Sequence, residues 1–238
     1  MSMENENIQL EIDQFVELKK KELNLNSDDL VKLEICSQSI YHWVQYCEYH
    51  YFTLIGASTE EDLKRDRVWQ IRRAGENVKL RFVYEANIAA CLQSLHALLD
   101  SFPYLLNLFC SMDSNSESAK IKWSSEFIKK YESYSFYSHL KNFMCDATFN
   151  QVKGYANRIK HKHLVRVANK GKHLEFESFF YKQPVEKQAG VFAYEDKELV
   201  NRDAIKFLEE CHNYLMPKFF NLCDAVLDSK RQQLKNSL

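Results

Sequence analysis

The chain is 238 residues long, with 32 lysines and arginines against 33 aspartates and glutamates, and 45% of its residues are apolar. This composition excludes a disordered or collagen-like chain, because such an apolar fraction can build a sizeable core. Only five glycines and three prolines are present, which disfavours a β-sandwich or a Rossmann-type fold, since both need many tight turns and glycine contacts. No shift in composition divides the chain, so we predict a single domain over residues 1–238.

Three features of the sequence predict where in the cell the protein is found. The first nine residues include Glu4 and Glu6 and no basic residue ahead of an apolar run, so they lack the layout of a signal peptide. The most apolar stretch, residues 86–110, is interrupted by Asp100 and diluted by other polar side chains, and we predict no membrane span. The seven cysteines are scattered and form no Cys-x-x-Cys pair, which is typical of reduced, mostly buried thiols. We therefore expect a cytoplasmic protein.

Three long segments repeat apolar residues at spacings of three and four, the pattern that places them on one face of a helix. The first covers residues 33–54, with Ser27 and two acidic residues placed to cap its start. The second, residues 82–109, is unusually long, contains Pro103, and is expected at the centre of the core. The third covers residues 205–226, again with one proline inside the pattern.

The remaining segments are shorter. Residues 111–118 predict a loop, and the pattern between residues 163 and 194 changes to strand, turn and strand. Shorter helices are predicted at Ile8–Lys21, Thr59–Arg73, Ala119–Tyr131 and Phe136–Arg158. The predicted fold is therefore mainly α, a helical bundle with a small inserted β-hairpin at about residues 163–194.

Charge is unevenly distributed along the chain. No acidic residue lies between Gln151 and Leu174, a segment that we call the basic strip. Its seven cations are Lys153, Arg158, Lys160, Lys162, Arg166, Lys170 and Lys172. A local basic strip on an otherwise acidic protein suits a phosphate or a nucleic-acid backbone. A solvated hairpin that carries lysines to prevent association of sheet edges is the other interpretation.

The centre of the basic strip reads Tyr-Ala-Asn-Arg-Ile-Lys-His-Lys-His over residues 155–163, with four residues between Arg158 and His163. In this spacing the chain resembles the HEPN superfamily of bacterial and archaeal helical-bundle proteins, whose ribonuclease members carry an Arg followed after four to six residues by a His. The resemblance implies a metal-independent endoribonuclease that acts as a homodimer with the two motifs facing each other. It also implies a toxin–antitoxin or phage-defence system, with an antitoxin-like protein as partner.

The chemistry of these side chains is coherent with RNA cleavage. A metal-independent reaction needs a base for the ribose 2′-hydroxyl, a cation beside the phosphate and an acid for the leaving oxygen. Histidine titrates near neutral pH, so His163 suits the role of base or acid, and Arg158 offers a planar fork to two phosphate oxygens. These two are the predicted catalytic pair. The predicted substrate-binding residues are Asn157, Lys160, His161, Lys162 and Arg166.

Two other interpretations stay open. The cations at the end of the predicted helix also complement the helix dipole, and the chain could then be a non-catalytic interaction module whose hairpin and basic strip bind a partner without cleaving it. His96 and Asp100 lie one helical turn apart and could form a catalytic pair, although a polar contact inside a bundle is the commoner outcome.

Neither a metal nor a cofactor is predicted. His42, Cys47 and His50 spread around a helix, and the lysines that flank His161 and His163 oppose a divalent ion. The sequence contains no G-x-x-x-x-G-K-[ST] and no G-x-G-x-x-G pattern, which disfavours a dedicated nucleotide loop.

Overall fold

The computed structural model describes residues 12–22, 27–64, 77–188 and 190–236. The predicted fold class is confirmed: the described chain is mostly helical and carries two small antiparallel sheets of two strands each. Within these ranges, no helix has the length and the apolar character that crossing a bilayer requires.

The elements are numbered in chain order. The helices are α1 (12–20), α2 (Ser27–Ala57), α3 (60–64), α4 (Asn77–Cys110), α5 (Ser125–Lys129), α6 (Tyr137–Met144), α7 (Ala147–His161), α8 (Ala204–Glu210) and α9 (Met216–Asn236). The strands are β1 (Val167–Asn169), β2 (Leu174–Phe176), β3 (Phe179–Gln188) and β4 (Val191–Leu199). All four strands therefore lie between α7 and α8.

Helix α4 forms the centre of the core, as its apolar pattern predicts. Leu92, Leu95 and Leu99 are completely buried, and α2 packs along α4 with Leu33 and Val44 equally inaccessible. Burial of each such side chain contributes roughly 1.5–3 kcal/mol to folding, so the packing of this helix pair contributes substantially to stability.

The third long pattern forms a continuous helical run with a local defect. Residues 211–215 are a π-helical turn between α8 and α9, and the Met216 amide donates to the Cys211 carbonyl five residues earlier. Pro217 has no amide hydrogen to continue the ordinary ladder. The wider turn shifts the hydrogen-bond register directly before this proline, which allows the helix to continue through it.

Two of the shorter predicted helices are confirmed where the structure describes them, at residues 12–20 and 60–64, while residues 8–11 and 65–73 of those predictions lie outside the described residues. The prediction of a helix at Ala119–Tyr131 is wrong in extent. Only α5 is helical there, because Ser124 caps its start by accepting a hydrogen bond from the Phe127 amide at 3.1 Å.

The prediction of one helix from Phe136 to Arg158 is also wrong, because the chain breaks at Cys145 and Asp146 into α6 and α7. The carboxylate of Asp146 caps α7 by accepting from the Phe149 amide at 3.0 Å. It also accepts from the Tyr214 hydroxyl at 2.7 Å and the Lys218 ammonium at 2.5 Å. These two distant partners, on the π-helical turn and on α9, tie the start of α7 to the end of the chain.

The single hairpin predicted at about residues 163–194 is two hairpins. The first, β1–β2, pairs Val167 with Phe176 and turns at Gly171, whose φ of 84° suits glycine. The second, β3–β4, is longer and pairs Phe179 with Leu199 at its open end. It extends past residue 194 because the outer half of β4 pairs with the start of β3.

Candidate functional site

Helix α7 presents the centre of the basic strip on one face. Asn150, Lys153, Asn157 and His161 follow one another at spacings of three and four, so they share a face of the helix. All four, together with Arg158, line a cleft of about 550 Å³. We call this cavity the basic cleft, and α7 is one of its walls.

The second wall is one face of the β3–β4 hairpin. Phe180, Lys182 and Pro184 alternate along β3, and Pro184 and Lys182 pair across the strands with Tyr194 and Asp196. All five residues line the basic cleft. The Lys182 ammonium lies 2.7 Å from a carboxylate oxygen of Asp196, so the charge of this lysine is balanced within the hairpin.

A glycine sets the distance between the two walls. A Cβ atom added to Gly154 on α7 would overlap the Cβ of Tyr181 and lie 3.3 Å from the Phe179 ring. Only glycine allows α7 and β3 to approach this closely. The cleft therefore depends on a residue that helix propensity alone would disfavour inside a helix.

Arg158 and His163 meet at the end of α7. Residue 163 lies just past the last turn, and its amide donates to the Arg158 carbonyl at 3.2 Å. Nη2 of Arg158 lies 3.3 Å from Nε2 of His163, and Oε1 of Glu177 lies 3.2 Å from the same nitrogen. The imidazole remains about half exposed, with 51% of its side-chain surface accessible.

One ring nitrogen cannot satisfy both neighbours at once. If Nε2 carries a hydrogen it donates to Glu177, and if it carries a lone pair it accepts from Arg158. Nε of Arg158 is buried and has no acceptor among the described residues. The guanidinium therefore keeps hydrogen-bonding capacity in excess of what the described chain uses.

The predicted site residues divide into two groups. Asn157, Arg158, His161 and Lys162 line the basic cleft, and His163 contacts it through Arg158. The other two predicted substrate-binding residues, Lys160 and Arg166, are exposed to solvent and do not line it.

The sequence patterns did not select Lys153 as a site residue, nor the cleft residues of the hairpin. Phe180 and Tyr194 are 66% and 51% exposed, and the buried Trp123 also lines the cleft. A usable signal was present for the hairpin: Phe180, Lys182 and Pro184 occupy alternate positions within the segment predicted to contain strands. No local pattern places Trp123 there, since it is held by a hydrogen bond of its indole to the Leu99 carbonyl at 2.7 Å.

Lys153 is half-buried in the basic cleft and makes no hydrogen bond or ion pair with the rest of the described chain. Burial lowers the pKa of this lysine, while the nearby carboxylate of Asp100 favours the charged form.

His96 on α4 is only 6% exposed and lies close enough to Lys153 on α7 to be affected by its charge. Burial lowers its pKa to about 4, and Asp100 partly opposes this shift. At neutral pH the imidazole of His96 is therefore uncharged.

In the part of the chain that the structure describes, no three His, Cys, Asp or Glu side chains are grouped so that they could hold a metal ion. All seven cysteines are free thiols.

The geometry can be compared with what is known of other proteins. No protein-family model, no curated protein and no solved structure matches this chain.

Proposed function

We propose that the chain binds RNA at the end of α7 and cleaves it without a metal ion, with Arg158 and His163 as the catalytic pair. One observation carries this proposal: the guanidinium and the imidazole lie 3.3 Å apart at a solvent-exposed position beside the basic cleft. A cation and a titratable ring at this separation can address the same phosphodiester. No acidic side chain forms an ion pair with Arg158 among the described residues.

Glu177 gives the histidine a defined role. When Nε2 donates to Glu177, the free lone pair is on Nδ1, and this nitrogen can take the proton of the ribose 2′-hydroxyl. The 2′-oxygen then attacks phosphorus and the bond from phosphorus to the 5′-oxygen breaks. Arg158 neutralises the charge that develops on the phosphate. The products are a 2′,3′-cyclic phosphate and a 5′-hydroxyl.

The leaving 5′-oxygen needs a proton. His161 is exposed, lines the basic cleft and is two residues from His163, so in its protonated form it is the donor that we assign. The proton balance then closes between two imidazoles. Asn157 and Lys162 line the same cleft and would hold the RNA backbone beside them. The homodimer and the antitoxin-like partner that the HEPN resemblance implies belong to this proposal as well.

A binding module that cleaves nothing is the second candidate function. The contact between Glu177 and His163 favours it, because the same ion pair can simply fasten the end of α7 to the segment after β2. In that case the basic cleft would bind RNA and the histidine would be structural.

Cleavage in EDTA separates the two functions. The purified chain is incubated with a single-stranded RNA, and the ends of any fragments are identified by mass spectrometry. We expect 2′,3′-cyclic phosphate ends, and we expect Arg158→Ala and His163→Ala to abolish them while the melting temperature is retained. His173→Ala is the matched control, since this histidine of the basic strip also contacts a glutamate, Glu175, but does not line the cleft.

The outcomes are distinct. Cleavage that persists in both site variants contradicts the proposed function, because the activity then comes from elsewhere. RNA binding without cleavage in the unmodified chain favours the binding module.

A further inference from the structure

The basic cleft is a partly open cavity with a buried base. Its floor is formed by Trp123, Met144 and Phe149, all of them buried core residues. Its volume of about 550 Å³ lies in the range of pockets that hold one small ligand, roughly 300–1,000 Å³. A cavity of this volume suits a single nucleotide.

Aromatic rings are exposed on the hairpin wall. Phe180 and Tyr194 lie on the same face of the hairpin and are 66% and 51% exposed, although large rings are normally buried. Exposed rings in a cleft provide flat surfaces on which an unstacked base can stack. The β3–β4 hairpin therefore offers a surface for the base and not for the phosphate.

Cations concentrate on the opposite wall. Four lysine and arginine side chains line the cleft against one carboxylate, that of Asp196. Because Asp196 is paired with Lys182, the cleft cations that form no ion pair within the described residues are Lys153, Arg158 and Lys162, all on or just after α7. A ligand that enters this cleft would meet rings on one side and positive charge on the other.

We infer that the basic cleft holds one unpaired nucleotide of the RNA, with its base against one of the two exposed rings, Phe180 or Tyr194, and its phosphate against the cations of α7. The inference rests on the proposed function in that it takes RNA as the ligand. Because Arg158 lines the cleft and contacts His163, the captured nucleotide adjoins the bond to be cleaved. The substrate is then single-stranded RNA, since a base inside a duplex is stacked and paired and would have to be extruded.

Binding of an RNA that cannot be cleaved tests this inference separately from catalysis. A short fluorescently labelled RNA, 2′-O-methylated throughout, is titrated with the full chain as a single strand and as a duplex of the same sequence. We expect the single strand to bind at least about tenfold more tightly, and Phe180→Ala with Tyr194→Ala to remove about tenfold of that affinity, the effect of losing base stacking.

The chain offers a matched control pair on α2. Tyr49 and Tyr46 are 66% and 50% exposed, which matches Phe180 and Tyr194 closely, but they lie outside the basic cleft. We expect Tyr46→Ala with Tyr49→Ala to leave the affinity for the single strand unchanged. All four side chains are exposed, so neither double variant should alter the melting temperature much.

Equal binding of the duplex, or an unchanged affinity in the Phe180 and Tyr194 variant, would overturn the inference. If native RNA is still cleaved in those cases, the proposed function stands without the nucleotide pocket. If the single strand is preferred and lost with the aromatic rings but nothing is cleaved, the pocket stands and the catalytic pair fails. No binding of either RNA rejects both.

Discussion

Two surface clefts in the described part of the chain have similar size and opposite character. The basic cleft lies between α7 and the β3–β4 hairpin, whereas the second lies between α6 and α9 and has a volume of about 680 Å³. We call the second one the acidic cleft, because Asp224 and Asp228 line it one helical turn apart. The one lysine that lines it, Lys218, forms an ion pair with Asp146. Burial and the neighbouring Asp228 raise the pKa of Asp224, a shift opposite to that of Lys153.

The comparison shows that volume alone does not indicate which cleft suits a nucleotide. The acidic cleft is the larger one, yet it repels phosphate, and its phenylalanines, Phe136 and Phe143, are buried with no ring surface to offer. In the basic cleft both the charge and the exposed rings favour a nucleotide. The difference in charge comes from local sequence, since the basic strip contains no acid whereas α9 carries the two aspartates.

Asp146 links the two clefts, and its removal should have the largest effect. It caps the wall helix of the basic cleft and holds Lys218 in the acidic cleft. We expect Asp146→Ala to lower the free energy of unfolding by about 3–4 kcal/mol, because a cap and a buried ion-pair partner are lost together. Chemical denaturation measures this. Asp203→Ala is the control, since Asp203 caps α8 without an ion pair, and it should cost only about 1 kcal/mol. Equal losses would show that the link to Lys218 contributes nothing.

Reversing the charge of the basic cleft should remove its advantage over the acidic cleft in binding RNA. We expect Lys153→Glu with Lys162→Glu to weaken RNA binding about 100-fold, since two attractive contacts become repulsive. The salt dependence of binding should fall at the same time. Fluorescence anisotropy at several salt concentrations measures both. Asp224→Asn removes a charge from the acidic cleft, and a comparable change in affinity there would contradict the assignment of the site.

The buried His96 should make the free energy of unfolding depend on pH. Its folded-state pKa of about 4 lies below the ordinary 6.5, so protonation favours the unfolded chain. Above pH 6.5, His96 is uncharged in both states and does not lower the free energy of unfolding. As the pH falls from 6.5 towards 4, the free energy of unfolding decreases, by about 2–3 kcal/mol at pH 4.5. Lys153 and Lys160 add to the effect by repelling the charged ring, and Asp100 opposes it.

Thermal or chemical unfolding from pH 7.5 to 4.5 measures the His96 contribution as a difference between two chains. His96→Gln cannot titrate, so its stability should fall less steeply over this window than that of the unmodified chain. Parallel curves for the two chains would show that His96 is protonated with equal ease in the folded and unfolded states.

Local patterns predicted the long helices but not the junctions between them. Helices α2 and α4 follow from apolar spacing, because one face of each must be buried. The break at Asp146 could not be predicted, because the partners that favour it, Tyr214 and Lys218, are far away in sequence. Nor could the second hairpin, since its inner face is defined by packing of Tyr181 against Gly154 on α7.

The same distinction between local patterns and distant contacts applies to the candidate site. The spacing of Arg158 and His163 predicted that they share one chemical environment, and they do meet, although His163 lies beyond the helix. The position of Phe180 and Tyr194 opposite α7 depends on the second hairpin, so it could not be predicted from residues near the motif. Sequence therefore located one wall of the cleft, and tertiary packing supplied the other.

The smallest predicted effect concerns the spacing of those two walls. Gly154→Ala should lower the free energy of unfolding by about 1–2 kcal/mol, because the new methyl group overlaps Tyr181 and the gain in helix propensity is smaller than this strain. It should also weaken RNA binding, since α7 and β3 must move apart. Gly56 near the end of α2 is the control: a Cβ there meets nothing within 4 Å, so Gly56→Ala should be neutral or stabilise by up to about 1 kcal/mol. Denaturation of both variants tests this. A Gly154→Ala chain as stable as Gly56→Ala would mean that the hairpin is free to shift, and the basic cleft would then not be a preformed pocket.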